Sequence, residues 1–224
     1  VWRTTGKRHR LMPHIHIANR LALALTAACF VAGLGGCSGN EASAPGDVAP
    51  ALPVIEIAQG QVSGRSEGGI NIFRGIPYAA PPIGDLRWKP PQPAEPWQGV
   101  RDANAFGPSC IQPPVPPVSV YYDPPQSSSE DCLSLNVWAP ADADEAPVIV
   151  WIHGGSLRIG GSAQPMYEAS AYTKHNMVFV SINYRLGALG WLPHADLAAE
   201  DPDGLTGNYG LRDQIAALEW VQDN

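Results

Sequence analysis

The 224-residue chain holds 23 Gly and 23 Pro, is 45% hydrophobic and only 16% charged. That is enough apolar material for a packed core, which excludes wholesale disorder, and the charge content excludes a coiled coil. The net charge is −7, and an acidic body lacks the clustered Lys and Arg that neutralise phosphates, so nucleic acid is excluded as a partner.

The charge is unevenly spread. Arg3, Lys7, Arg8, Arg10 and Arg20 stand in the first 36 residues with no acidic residue among them. An apolar run, Leu21 to Gly35, follows Arg20 and is broken only by Thr26. It has the length of a signal-peptide core and is too short to span a bilayer, which takes about 20 residues. The run ends in Leu34-Gly35-Gly36-Cys37, which resembles a bacterial lipobox, with Cys37 as the lipid-bearing residue. The alternative is an ordinary cleaved signal with an incidental cysteine. Residues 1–36 are therefore expected to be an export signal starting at Met12. Residues 37–53, rich in Ala, Pro and Gly, are expected to be a flexible tether. By this reading the protein is exported: a lipoprotein of the outer membrane or periplasm, touching membrane only through its lipid, or a secreted protein.

The folded part is expected over 54–224. Val54 to Ile57 and Gln61-Val62 flank a Gln59-Gly60 turn, the pattern of a hairpin. Ile70 to Phe73 alternates as a strand, and Pro77 to Trp97 is Pro-rich and irregular. Leu133, Leu135 and Val137 alternate with Ser134 and Asn136 as in a half-buried strand. Val148 to Ile152 is continuously apolar, as in a strand covered on both faces of a parallel sheet. A short helix is expected from Met166 to His175 and another covered strand from Met177 to Ile182. Leu211, Ile215, Leu218 and Val221 recur at helical spacing, predicting an amphipathic helix with Arg212, Asp213 and Glu219 outside. Strands first, then strand, helix and strand, imply an α/β fold entered through an antiparallel edge hairpin and leading into a mostly parallel sheet.

Export leaves Cys110 and Cys132 once Cys29 departs with the signal and Cys37 takes lipid. Two cysteines in an oxidising compartment form a natural disulfide. Asp201-Pro202-Asp203-Gly204 lacks the other ligands of a calcium loop and reads as an acidic turn. No metal and no cofactor is implied by any spacing.

His153-Gly154-Gly155-Ser156 directly follows the most apolar strand. Adjacent glycines can turn backbone N–H groups toward a pocket, and two converging donors make an oxyanion hole for acyl transfer. A Gly pair after a strand is equally a common turn.

The surrounding blocks decide between the two. Phe73-Arg74-Gly75-Ile76-Pro77-Tyr78-Ala79, Leu86-Arg87-Trp88, Glu130 through Trp138, Asn183-Tyr184-Arg185-Leu186-Gly187 and Gly207 through Gln214 resemble, in order, the signatures of the type-B carboxylesterases. The resemblance covers Val54 to Asn224. It implies the N-terminal part of an α/β-hydrolase fold and a serine esterase working through an acyl-enzyme on a small carboxylic ester. It implies Gly155 and Ser156 as oxyanion donors through their N–H groups, supported by His153 and Gly154. The family often has Gly where Ser156 stands, so the shape of the acyl pocket is in question. The match also implies the Cys110–Cys132 disulfide and a buried Arg87–Glu130 ion pair bracing its loop. Tyr122, beside Tyr121, stands where cholinesterases carry tryptophan, which argues against choline esters.

The family's nucleophile sits in G-x-S-x-G, which does not occur here; Gly60-Gln61-Val62-Ser63-Gly64 has its serine one place late. The chain is expected to stop before that elbow, lacking the catalytic Ser, Glu and His, and to be inactive alone, with the strands ending at Ile152 and Ile182 left without partners. A non-catalytic adhesion or binding member of the fold, or a non-functional remnant, are the alternatives.

Overall fold

The computed structural model describes residues 52–119, 124–125 and 127–224. The expected signal, Cys37, the tether as far as Ala51, and Tyr121 and Tyr122 lie outside them.

The chain enters through β1 (Val54–Ile57) and β2 (Gly60–Ser63), an antiparallel hairpin in the register Val54 to Ser63. This hairpin does not lead into the main sheet. With β5 (Val100–Asp102), parallel to β2, it makes a separate three-stranded sheet. Its start is pinned by the Gly64 N–H donating to Pro53 O at 2.9 Å.

The main sheet is entered instead by β3 (Arg65–Glu67) and β4 (Ile70–Pro77) and runs in the order β3-β4-β8-β10-β9. Here β8 is Ser134–Pro140, β9 is Val148–Ile152 and β10 is Val178–Ile182; β6 (Ser109–Cys110) and β7 (Ser128–Ser129) form a short pair apart from it. Pairings are antiparallel up to β10 and become parallel at β10–β9, with Ile182 opposite Ile152. The register of β4 on β8 shifts between Phe73 and Ile76. That bulge falls at Gly75, where φ is +68° and an added Cβ would lie 2.7 Å from Ala105 O, so only glycine fits.

Strand alternation sorts side chains to two faces. Leu135, Val180 and Ile182 join Phe73, Ile76 and Tyr184 in the larger core, whereas Trp138 and Phe179 join Ile70 and Ile72 on the opposite side. Consequently β8 is covered on both faces, not half-buried: Ser134 and Asn136 are buried along with the leucines. The reverse holds for β9. Its apolar run was expected to be covered on both faces, yet Val148, Trp151 and Ile152 are exposed, because β9 is the outermost strand among the described residues. The strand ending at Ile182 is not left unpartnered, since β8 and β9 flank β10.

Four helices complete the described residues: α1 (Ser170–Thr173), α2 (Gly187–Trp191), α3 (Ala195–Glu200) and α4 (Tyr209–Asp223). The helix expected from Met166 to His175 is broken into a 3-10 turn, Pro165–Tyr167, and the single turn α1. Glu168 is extended between them (ψ 123°), and Ala169 is thereby seated in the core.

Helix α4 exists where its spacing predicts, but turned to the other face. Leu211, Ile215 and Leu218 are exposed, while Tyr209, Asp213, Ala217 and Trp220 are buried. The reason is an ion pair. Arg185 donates through Nε and Nη2 to Asp213 at 2.8 and 2.7 Å, its own N–H adds a third bond at 3.0 Å, and Nη1 reaches Lys89 O at 2.9 Å. Side-chain exposures are 4% and 0%. A charge so enclosed must be fully paired, so Asp213 has to face inward and the leucine stripe faces out.

Candidate active site

After Ile152 the chain leaves the sheet in a turn of unusual backbone. Gly155 has φ +117°, Ser156 +55° and Leu157 +61°. A Cβ at Gly155 would overlap the carbonyl of Ile159, so this position admits only glycine. Gly155 O accepts from Arg158 N–H at 3.1 Å and Ile159 N–H at 3.2 Å, closing the loop on itself. The N–H groups of Gly155 and Ser156 donate to no described residue, and Gly154 and Ser156 are exposed.

The turn is held from the β10 side. His153 is 3% exposed and stacked on Tyr184, with centroids 4.5 Å apart and planes 19° from parallel. Its Nδ1–H donates to Gly154 O at 2.9 Å, and Tyr184 O–H donates to His153 O at 2.8 Å. Burial lowers the His153 pKa below the ordinary imidazole value, so the ring is neutral near pH 7. Its stacking and hydrogen bonds hold the turn. Gly187 N–H donates to Leu157 O at 2.8 Å, and Ser162 N–H to Asn183 Oδ1 at 2.8 Å. Asn136 Nδ2 in turn bridges Ser162 Oγ and Ser181 Oγ, each at 3.0 Å. Sequence reasoning singled out the glycines and missed this polar layer. Its signal was present: Asn136 and Ser181 are isolated polar residues inside apolar strands, and such groups are buried only with hydrogen-bond partners.

The remaining expected residues gather elsewhere, around the proline-rich loop. Cys110 and Cys132 are joined, with an S–S distance of 1.98 Å. Arg87 grips Glu130 in a fork, Nε to Oε2 at 2.6 Å and Nη2 to Oε1 at 2.7 Å. This pair is not buried as expected: its side chains are 40% and 27% exposed. The hydrogen bond to Glu130 raises the Arg87 pKa. Asp201 forms its acidic turn by accepting from Asp203 and Leu205 N–H groups and from Arg212.

A mixed sheet turning parallel, with a glycine turn at the end of β9, places the chain among the α/β hydrolases. Known proteins narrow that class. The profile of the Carboxylesterase family matches residues 51–224. Fumonisin B1 esterase of Sphingopyxis macrogoltabida is 45% identical over 160 residues, 70% of this chain and 29% of that protein. Para-nitrobenzyl esterase of Bacillus subtilis is 40% identical, over 76% of this chain and 34% of its own length. A solved PNB esterase structure superposes with a TM-score of 0.70 at 40% identity, covering 78% of this chain and 35% of that one. A Geobacillus stearothermophilus carboxylesterase gives 0.67 at 40% identity, covering 76% and 34%. The chain belongs to the carboxylesterase family, and it spans about a third of the length of these relatives.

Proposed function

We propose that the whole protein is a serine carboxylic-ester hydrolase and that these residues supply two of its oxyanion donors. The observation that carries this is the pair of N–H groups at Gly155 and Ser156 that donate to no described residue, held in a turn that no side chain at 155 would permit. An ester carbonyl oxygen seated there gains negative charge as a nucleophile adds to its carbon. Donors fixed beforehand stabilise that charge without reorganising, and removing one such donor typically costs about 10²–10³ in kcat. His153 contributes by stacking, not by moving protons. The nucleophile, its base and its acid, together with a third N–H donor, come from the remainder of the whole protein. The 224 residues alone are inactive.

The relatives named above are esterases whose names carry chemically different compounds, fumonisin B1 and para-nitrobenzyl. A general small carboxylic ester is accordingly the substrate class we assign. The signal and Cys37 make the protein an exported lipoprotein, with the Cys110–Cys132 disulfide formed in that compartment.

The test compares the 224-residue chain with the longer gene product on a short-chain nitrophenyl ester, with and without a serine-directed organophosphate. Inhibitor-sensitive turnover is expected from the longer protein alone. Inhibitor-sensitive turnover by the short chain, or none by the longer one, would overturn the assignment. Cys37→Ala should move the longer protein from membrane to soluble fraction.

A further inference from the structure

The far end of the candidate oxyanion turn is held by something other than the core. Gly160, at φ +114°, is clasped by the side-chain amide of Gln112: Gly160 N–H donates to Oε1 at 2.8 Å, and Nε2 donates to Gly160 O at 2.7 Å. One primary amide thus makes both bonds that a neighbouring strand would make to a paired residue. No β-strand residue is seen to do it. A Cβ at Gly160 would lie 2.6 Å from Gly154 O and against the His153 ring, so the chain doubles back here too tightly for ladder pairing. A side chain carrying donor and acceptor side by side satisfies such an isolated peptide, and at neutral pH, where carboxyl groups are ionised and only accept, the primary amides of Gln and Asn do so.

Gln112 is itself anchored. Its Nε2 also reaches Cys110 O at 3.1 Å, and Cys110 is tied to Cys132. The β10 side holds the turn at His153, Leu157 and Ser162; Gln112 ties Gly160, between the last two, to the disulfide loop. Because Ser156 and Leu157 sit in a left-handed conformation that L-residues rarely adopt, the turn persists only while its surroundings over-determine it.

We propose that Gln112 is a positioning residue for ester hydrolysis: by clasping Gly160 it fixes the direction of the Gly155 and Ser156 N–H groups. The proposal rests on the oxyanion reading of those two amides. Gln112 touches no reacting atom and acts only through the turn.

The experiment uses the longer gene product with Gln112→Met, which keeps the shape and removes both bonds, and Gln112→Glu, which keeps the acceptor and removes the donor. Active sites are counted with an organophosphate, so that loss of folded protein does not register as loss of rate. Per site, kcat is expected to fall about 10–100-fold in Gln112→Met, short of or equal to the loss of a whole oxyanion donor, with KM within about threefold. Affinity for a trifluoromethyl ketone, whose hemiketal oxygen needs the hole, should fall by a similar factor. A per-site kcat within twofold of wild type, or unchanged ketone affinity, in both variants would overturn the proposal. Should Gln112→Met not fold, Gln112→Glu decides alone by the same two measures.

Hydrogen exchange separates this proposal from the reading beneath it. The hydrogen-bonded amides of Arg158, Ile159 and Gly160 should exchange faster in either variant, while those of β10 keep their wild-type rates. If the wild-type longer protein lacks esterase activity, the hydrolase reading falls, and the hold of Gln112 on the turn is then decided by exchange; unchanged rates at Arg158, Ile159 and Gly160 would overturn it.

Discussion

Two arginine–carboxylate forks of nearly the same geometry sit in this structure, and they do different work. Arg185–Asp213 and Arg87–Glu130 both close two N–H···O contacts at 2.6–2.8 Å. The first is enclosed between β10 and α4; the second lies half in water at the rim of the disulfide loop. In water an ion pair gains little over its solvated partners. In the interior each charge is tolerable only through the other, so the pair dictates which face of α4 turns inward. Geometry alone would rank the two as equals. Burial separates them.

The largest effect that would break this contrast is at Asp213. Asp213→Asn leaves the enclosed Arg185 guanidinium without a counter-charge and should cost about 3–5 kcal/mol. Chemical denaturation at unchanged m-value measures it; a loss comparable with that of Glu130→Gln would show that burial does not matter here.

A buried group with no charged partner gives an intermediate effect. Burial holds the His153 pKa below its ordinary value, so the unfolded chain takes up a proton first as pH falls. Its contribution is complete above the unfolded value of about 6.5 and is lost as pH drops through the lowered folded value. Melting temperature between pH 7 and 5 should therefore fall more steeply in wild type than in His153→Phe, which keeps an aromatic ring against Tyr184. Parallel slopes would place the acid sensitivity elsewhere.

The smallest effect is expected at the exposed fork. Glu130→Gln should move the melting temperature far less than Asp213→Asn, and 1 M salt should erase most of the Glu130→Gln shift while leaving that of Asp213→Asn, because salt screens exposed charges, with a Debye length of about 3 Å at that ionic strength, and buried pairs much less. A large, salt-insensitive loss would mean that the loop encloses the pair more than its exposure indicates.

Much of this was legible in the sequence, and the limits are instructive. Alternation and apolar runs located β4, β8, β9 and β10, and the family blocks led to the Gly155–Ser156 turn and paired Cys110 with Cys132. These are local signals, set by the twofold strand period and by the dihedral freedom of glycine. Which side of an element is buried was not local. The stripe Leu211, Ile215, Leu218 satisfies every rule for a core face, yet Asp213 takes the inside because Arg185, 28 positions away, is already there. The run Val148 to Ile152 predicts two covered faces, but coverage depends on neighbours that a strand's own residues do not name. Gln112 carries no signal at all: a glutamine two places after a cysteine becomes meaningful only when folding sets its amide against Gly160. Residue type decided which backbone shapes and which chemistry were possible. The long-range pairing of charges and amides, whose value depends on the dielectric that packing creates around them, decided which of those possibilities the chain adopted.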